Sequence, residues 1–197
     1  GKLMLASEGH AGTVTDAQFR PDGQAVVSSG VDGTVRIWDL GTRRQTQVLW
    51  GHRGAVHTAV YSPNGQRVVS AGDDGTVRVW DLGAGAVQYV LEASELPMRS
   101  AEFSRNGEYV AGGGDDGAVY IWEAPGGREL QRIESPSGAI HAVRFAPDGR
   151  FLATGGAGDT IQLWRVTDGA AGQSWTLPAP GVNSLAFSVD GTRLAVA

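Results

Sequence analysis

A tryptophan returns every 42 residues along the chain, at Trp38, Trp80, Trp122 and Trp164. An aromatic keeps step with it at Phe19, Tyr61, Phe103, Phe145 and Phe187. A register kept this strictly restricts the chain to a repeat architecture, in which one supersecondary unit recurs and buries its apolar face against its neighbours.

Each copy reads as four short strands. The first runs into the aromatic, as in Thr13 to Phe19, and ends at a turn: Pro21-Asp22-Gly23, Pro63-Asn64-Gly65, Asn106-Gly107, Pro147-Asp148-Gly149 or Asp190-Gly191. Asp-Gly and Asn-Gly between apolar runs are strong hairpin signals. The second strand is a compact apolar run such as Ala25 to Ser29 or Phe151 to Thr154, too short for a helix. A second turn, Asp32-Gly33, Asp74-Gly75 or Asp116-Gly117, leads into a third strand such as Thr34 to Trp38 or Thr76 to Trp80. Its alternation of valine or isoleucine with arginine marks a half-buried strand. A weaker fourth strand, such as Thr46 to Leu49 or Val87 to Leu91, completes the unit. No segment shows helical periodicity, and a period in the low forties predicts an all-β propeller of four-stranded antiparallel blades.

The pairs Gly9-His10, Gly51-His52, Trp38-Asp39 and Trp80-Asp81 carry a family resemblance. Two copies of both pairs, in one register and with the intervening Asp-Gly and aromatic positions filled, resemble the WD-repeat β-propellers. The resemblance covers the whole chain. It divides the chain into repeat units at about 9–50, 51–92, 93–134 and 135–176, a partial unit at 177–197, and a leftover fourth strand within 1–8. Four full units and two partial ones fall short of the seven or eight blades the resemblance implies. The expectation is therefore an incomplete propeller, an excerpt of a longer protein or one part of a multi-chain ring. An open arc leaves an uncovered blade face and an unpaired edge, which invites pairing with another chain.

Composition narrows the function classes. The chain is 41% hydrophobic, and its 30 glycines recur at periodic turn positions, which fits an ordered β protein. The absence of cysteine removes disulfides and thiolate metal sites. No stretch approaches the roughly 18 apolar residues of a membrane helix, and Gly1 to Ser7 lacks the cationic start of a signal peptide. The expected location is cytoplasmic, away from membranes. A net charge of −5, with no run of five or more like charges, argues against a nucleic-acid partner. Lys2 is the sole lysine, and with the abundance of alanine and glycine this points to a GC-rich bacterial source.

One constellation looks catalytic: His10, Ser28, Asp32 and Trp38, then His52, Ser70, Asp74 and Trp80. These are the residue types of a nucleophile, base and orienter. Repetition argues against catalysis, because an enzyme needs one site and this set recurs with the repeat. The resemblance implies instead a structural hydrogen-bond chain that ties the loop before the first strand to the turn after the second. In the third copy the His and Ser positions hold Ser94 and Gly112, with Asp116 and Trp122 remaining; in the fourth they hold Pro136 and Thr154, with the acid displaced to Asp159. The network is thus expected whole in the first two units alone.

Binding specificity is sought at variable positions on a fixed scaffold. The residue just after the first strand's apolar anchor is Thr15, His57, Arg99, His141 and Asn183; the residue before the turn aspartate is Val31, Asp73, Asp115 and Ala157. The resemblance places both at the top face around the channel mouth, so Thr15, His57, Arg99, His141, Asn183, Asp73 and Asp115 are the candidate partner-binding residues. A solvated rim without a partner is the competing reading. Trp50 and Trp175 are read as packed against neighbouring loops, with a partner anchor as the alternative, and Arg36 and Arg78 as solvated side chains pointing outward. Asp73-Asp74 and Asp115-Asp116 lack the further oxygen ligands of a calcium site. Gly112-Gly113-Gly114 opens no helix and is no phosphate loop. No cofactor, metal or catalytic residue is expected.

The function this implies is a non-catalytic protein-interaction scaffold or sensor. By resemblance to bacterial WD-repeat arrays, it belongs to a larger multidomain signalling protein. The alternative is a self-assembly element that completes a propeller ring with another chain.

Overall fold

The chain is described by a computed structural model over residues 9–136, 138–177 and 181–197. The described residues form eighteen strands and no helix. Four four-stranded antiparallel sheets follow in chain order. The first comprises β1 (Val14–Phe19), β2 (Ala25–Gly30), β3 (Thr34–Asp39) and β4 (Arg44–Trp50). The second comprises β5 (Val56–Tyr61), β6 (Arg67–Gly72), β7 (Thr76–Asp81) and β8 (Ala86–Glu92). The third holds β9 (Met98–Phe103), β10 (Tyr109–Gly114), β11 (Ala118–Glu123) and β12 (Glu129–Glu134). The fourth holds β13 (Ile140–Phe145), β14 (Phe151–Gly156), β15 (Thr160–Arg165) and β16 (Ala171–Thr176), and a two-stranded piece, β17 (Leu185–Phe187) with β18 (Leu194–Val196), follows. Each sheet is a blade, and together they form an incomplete propeller. The fourth strand expected within residues 1–8 lies outside the described residues.

The turn chemistry read in the sequence sets the meander. Gly33, Gly75 and Gly117 adopt φ of 77°, 71° and 76°, the left-handed conformation that closes a three-residue hairpin loop and that glycine takes at least cost. Gly75 is doubly constrained, because a Cβ there would lie 1.9 Å from the Ser94 carbonyl oxygen.

The core lies between blades. Val27, Val35, Ile37 and Leu49 of the first blade face Val56, Ala59, Tyr61 and Val68 of the second, and the pattern recurs at each junction. A blade is thus a two-faced sheet whose apolar faces are both covered by its neighbours. The inner strand of the first blade is the exception: Val14 is 51% and Phe19 70% exposed, whereas their register equivalents Val56 and Tyr61 are buried.

A bulge interrupts every complete inner strand at its start. The pairing of β1 with β2 skips Thr15, that of β5 with β6 skips His57, that of β9 with β10 skips Arg99, and that of β13 with β14 skips His141. Removing a residue from the ladder frees its side chain from the alternation of the strand and re-aims it, here at the end of the blade where the inner strand begins.

Candidate functional site

In the first two blades the repeated His, Ser, Asp and Trp residues meet as an ordered chain. Trp80 Nε1–H donates to Ser70 Oγ at 2.8 Å, Ser70 Oγ lies 2.7 Å from His52 Nε2, and His52 Nδ1 lies 2.9 Å from Asp74 Oδ1. The carboxylate only accepts, so the imidazole proton sits on Nδ1 and Nε2 accepts from the serine hydroxyl. Asp74 also accepts from the Arg53 N–H, the Thr76 N–H and the Thr76 hydroxyl. His10, Ser28, Asp32 and Trp38 repeat the arrangement, with bonds of 2.8 to 2.9 Å.

Burial drives the His52 pKa down, outweighing the upward pull of Asp74. Burial pulls Asp74 upward, but the bonds from His52, the Arg53 N–H and Thr76 prevail and hold it at about 2. Asp32 is lowered in the same way, against its own desolvation, by His10, Thr34 and the Ala11 N–H. The serine hydroxyl is therefore sealed between an indole N–H and a neutral imidazole. Ser70 is fully buried, with no access for a substrate.

Arg36 and Arg78 are not solvated, in contrast to the alternation reading. Their side chains retain only 13% exposure and fold back along β3 and β7, so that Nη2 meets Asp32 at 3.4 Å and Asp74 at 3.2 Å. Strand periodicity gave their face correctly, but a long side chain can run along the sheet to a carboxylate four residues earlier.

The third blade replaces the chain with a different one. Tyr120, at the register position of Arg36 and Arg78, stacks on Trp122 with ring centroids 5.5 Å apart and an interplanar angle of 5°. Its hydroxyl donates to Asp116 at 2.7 Å, and the Arg132 guanidinium lies 5.5 Å above its ring. In the fourth blade Trp164 Nε1–H still donates to Thr154 Oγ1 at 2.8 Å, while Asp159 accepts from its neighbour Thr160 in an exposed turn.

The bulge residues and the turn aspartates converge on the second and third blades. His57 Nε2 lies 2.6 Å from Asp73 Oδ1, and Arg99 donates through Nε (2.8 Å) and Nη2 to the two oxygens of Asp115. Arg99 Nη1 approaches His57 Nε2 at 3.0 Å and Asp73 at 4.0 Å, linking the two pairs across the blade junction. The hydrogen bond from Arg99 lowers the Asp115 carboxyl, aided by the charges of Arg99, His141 and His57 and opposed by desolvation. All four residues stay partly open to solvent, with side-chain exposures of 21 to 39%. Thr15 does not join them: its hydroxyl donates to the Val56 carbonyl and meets Ser29 Oγ, stitching the first two blades. Asn183 is exposed, and its N–H bonds to the Ala197 carbonyl.

Trp50 is 69% exposed rather than packed on a loop. It follows Leu49, which faces the core, so period-two alternation turns it outward on a strand with no further strand beyond it. Trp175 occupies the register of Leu49 and Leu91 but stays 39% exposed, because the following piece has only two described strands to cover it. No group of three metal-ligating side chains occurs among the described residues.

The family profile for the WD domain, G-beta repeat, matches residues 1–39, 43–81, 85–123 and 127–165, well over half the chain. The chain belongs to the WD40 family. Each match ends one residue after the periodic tryptophan, so a WD40 repeat here joins the outer strand of one blade to the three inner strands of the next. That offset links successive blades through the chain itself. WD40 repeats are in general protein–protein interaction modules, typically without catalytic activity. None of the curated proteins matches the chain. No helix among the described residues is long and apolar enough to cross a membrane.

Proposed function

We propose that this chain is a non-catalytic protein-interaction module of a cytoplasmic multidomain signalling protein, and that its partner docks on His57, Asp73, Arg99 and Asp115, flanked by His141, Thr15 and Asn183. The observation that carries this reading is that the four-residue cluster is unique within a repeated scaffold. The equivalent pairs in the first and fourth blades are Thr15 with Val31 and His141 with Ala157, neither of which can form it. Arginine is among the residues enriched at interface anchors. The bulges hold His57 and Arg99 on strands, and Asp73 and Asp115 sit in short turns tied to them by hydrogen bonds, so little ordering entropy is lost on binding.

Peptides selected from a random displayed library against the intact chain test the assignment. The proposal expects them to lose at least about tenfold in affinity, 1.4 kcal/mol, on Arg99→Ala and on Asp115→Ala. Melting should shift little, because a partly exposed ion pair contributes about 1 kcal/mol or less. Peptides that bind both variants as they bind the parent would refute it.

A second reading, self-assembly into a completed ring, is favoured by the open face of the first blade. Val14 and Phe19 stand exposed where Val56 and Tyr61 are sealed by the preceding blade. A discrete oligomer in light scattering that dissociates on Val14→Glu with Phe19→Glu supports it; a monomer at every concentration rules it out.

A further inference from the structure

The inner strands carry a second non-repeated feature, on their forward side and further from the bulges. At the register of Gln18 and Val60, the third, fourth and fifth inner strands hold Glu102, Arg144 and Ala186. This position points toward the next blade, as the bond from the Phe145 N–H to Glu102 Oε2 at 2.7 Å shows. An acid followed one blade later by a base occurs in no other neighbouring pair of this series. The alanine that comes next is too small to fill the layer, and a cavity of about 370 Å³ opens there. Its walls include Phe145, Phe187 and Val189, with Glu102 and Arg144 inside and Arg105 at the rim.

Glu102 and Arg144 do not neutralise each other by contact. Arg144 spends Nη1 on the Val143 carbonyl at 2.7 Å and acts on Glu102 through its field alone. Glu102 commits one oxygen to the Phe145 N–H, and its other oxygen has no hydrogen bond among the described residues. Desolvation by the packed strands pushes its carboxyl up to about 7, against the downward pull of Arg144 and the Phe145 N–H. An ionisable pair held apart across a crevice of mixed polar and apolar lining, each member with unused hydrogen-bonding capacity, is a costly arrangement for groups drawn partly out of water.

We infer that this crevice is a binding site for a small zwitterion with an apolar side chain, of the class of free α-amino acids. The ammonium reaches the free oxygen of Glu102, the carboxylate faces Arg144 and Arg105, and the side chain lies against Phe145, Phe187 and Val189. A lone cation would meet two arginines, and a lone anion would meet Glu102; a ligand bearing both charges satisfies every group. The volume is within the ordinary range for small-ligand sites, about 300 to 1,000 Å³. An ammonium beside Glu102 stabilises its ionised form, so binding near neutral pH releases a proton.

Titration calorimetry on the intact chain, with L-phenylalanine and L-leucine as probes at millimolar concentration in HEPES and in Tris, tests this. The expected result is binding whose heat differs between the buffers in the sense of proton release. N-acetyl-L-phenylalanine and L-phenylalaninamide, each lacking one charge, should bind at least about tenfold more weakly, as should the parent ligand on Glu102→Gln and Arg144→Met. Circular dichroism checks that both variants remain folded. The Gln side chain keeps the acceptor for the Phe145 N–H, which leaves Glu102→Gln informative if Arg144→Met unfolds. Absence of binding by both amino acids, equal binding of the capped compounds, or unchanged affinity in Glu102→Gln would each overturn the assignment. Arg99→Ala, on the other site, should leave this binding unchanged, so the two proposals fail separately.

Discussion

Replacing Asp74 by asparagine keeps the shape of the side chain and removes half of its accepting capacity. Oδ1 serves His52 and both groups of Thr76, while Oδ2 serves the Arg53 N–H and approaches the Arg78 guanidinium. An amide presents one oxygen, so whichever way the new side chain turns, its NH2 faces at least two donors. Each orphaned partly buried donor costs about 1 to 3 kcal/mol, and the solvent exposure left to Arg78 reduces its share. The sum is about 3 kcal/mol. For a chain of this size 1 kcal/mol moves the melting temperature by about 2 to 4 °C, so Asp74→Asn should lower it by about 6 to 12 °C in a circular-dichroism melt. Asp159→Asn is the matched control, since Asp159 sits in an exposed turn and, among the described residues, its side chain serves Thr160 alone. That change should stay within about 0.5 kcal/mol. If the two variants melt within about 2 °C of each other, the His–Ser–Asp–Trp chain does not stabilise the blade as argued.

Three further outcomes follow from named contacts. His52→Ala should destabilise the protein more than Ser94→Ala in the same melt, because His52 is bonded at both ring nitrogens whereas Ser94 Oγ accepts only from the exposed Leu96 N–H. Tyr120→Phe keeps the stack on Trp122 but removes the bond to Asp116, and should cost about 1 kcal/mol in urea unfolding. Glu102, raised from 4.5 to about 7, penalises the folded state as pH rises, since the unfolded chain ionises first; its contribution is intact below pH 4.5 and fully lost above about 7. Glu102→Gln should therefore stabilise the protein at pH 8 by up to about 3 kcal/mol and have little effect at pH 4, as read by denaturant midpoints at the two pH values.

The repeat, the strand order and the inter-blade core were legible because they rest on period and turn chemistry, which are local. Each Asp-Gly turn fixes a hairpin, and the tryptophan register fixes how far the next one lies. The bulges at Thr15, His57, Arg99 and His141 were not legible, since a bulge is a property of pairing between two strands and leaves no mark in one. The consequence is visible at the candidate surface. Variation between the repeats pointed to these positions, but only the structure joins His57 to Asp73 and Arg99 to Asp115 while turning Thr15 back to the Val56 carbonyl. Tyr120 was missed for another reason: it stands where the other blades have arginine, and the loss of His and Ser from that blade drew attention to what was absent. The tryptophan that lost its serine gained a stacked phenol, a substitution across chemical types that no motif search follows.

The departures from the repeat begin in the third blade and extend into the fourth. Ser94, Gly112 and Tyr120 alter the hydrogen-bond chain of the third blade, and the same blade supplies Arg99 and Asp115 to the upper cluster and Glu102 to the crevice. Arg99 and Glu102 are three residues apart on β9, about 10 Å along an extended strand, and an odd separation turns them toward opposite faces, with the bulge at Arg99 re-aiming that side chain toward the strand's start. One strand thus contributes to both proposed sites, through independent chemistry: an ion-paired rim partly open to solvent, and a carboxylate facing a cavity. A scaffold whose stability is spread over repeated inter-blade cores tolerates such concentration. Changes that remove the fully bonded His–Ser–Asp chain from one blade still leave Val77, Met98 and Trp122 packed across its junction.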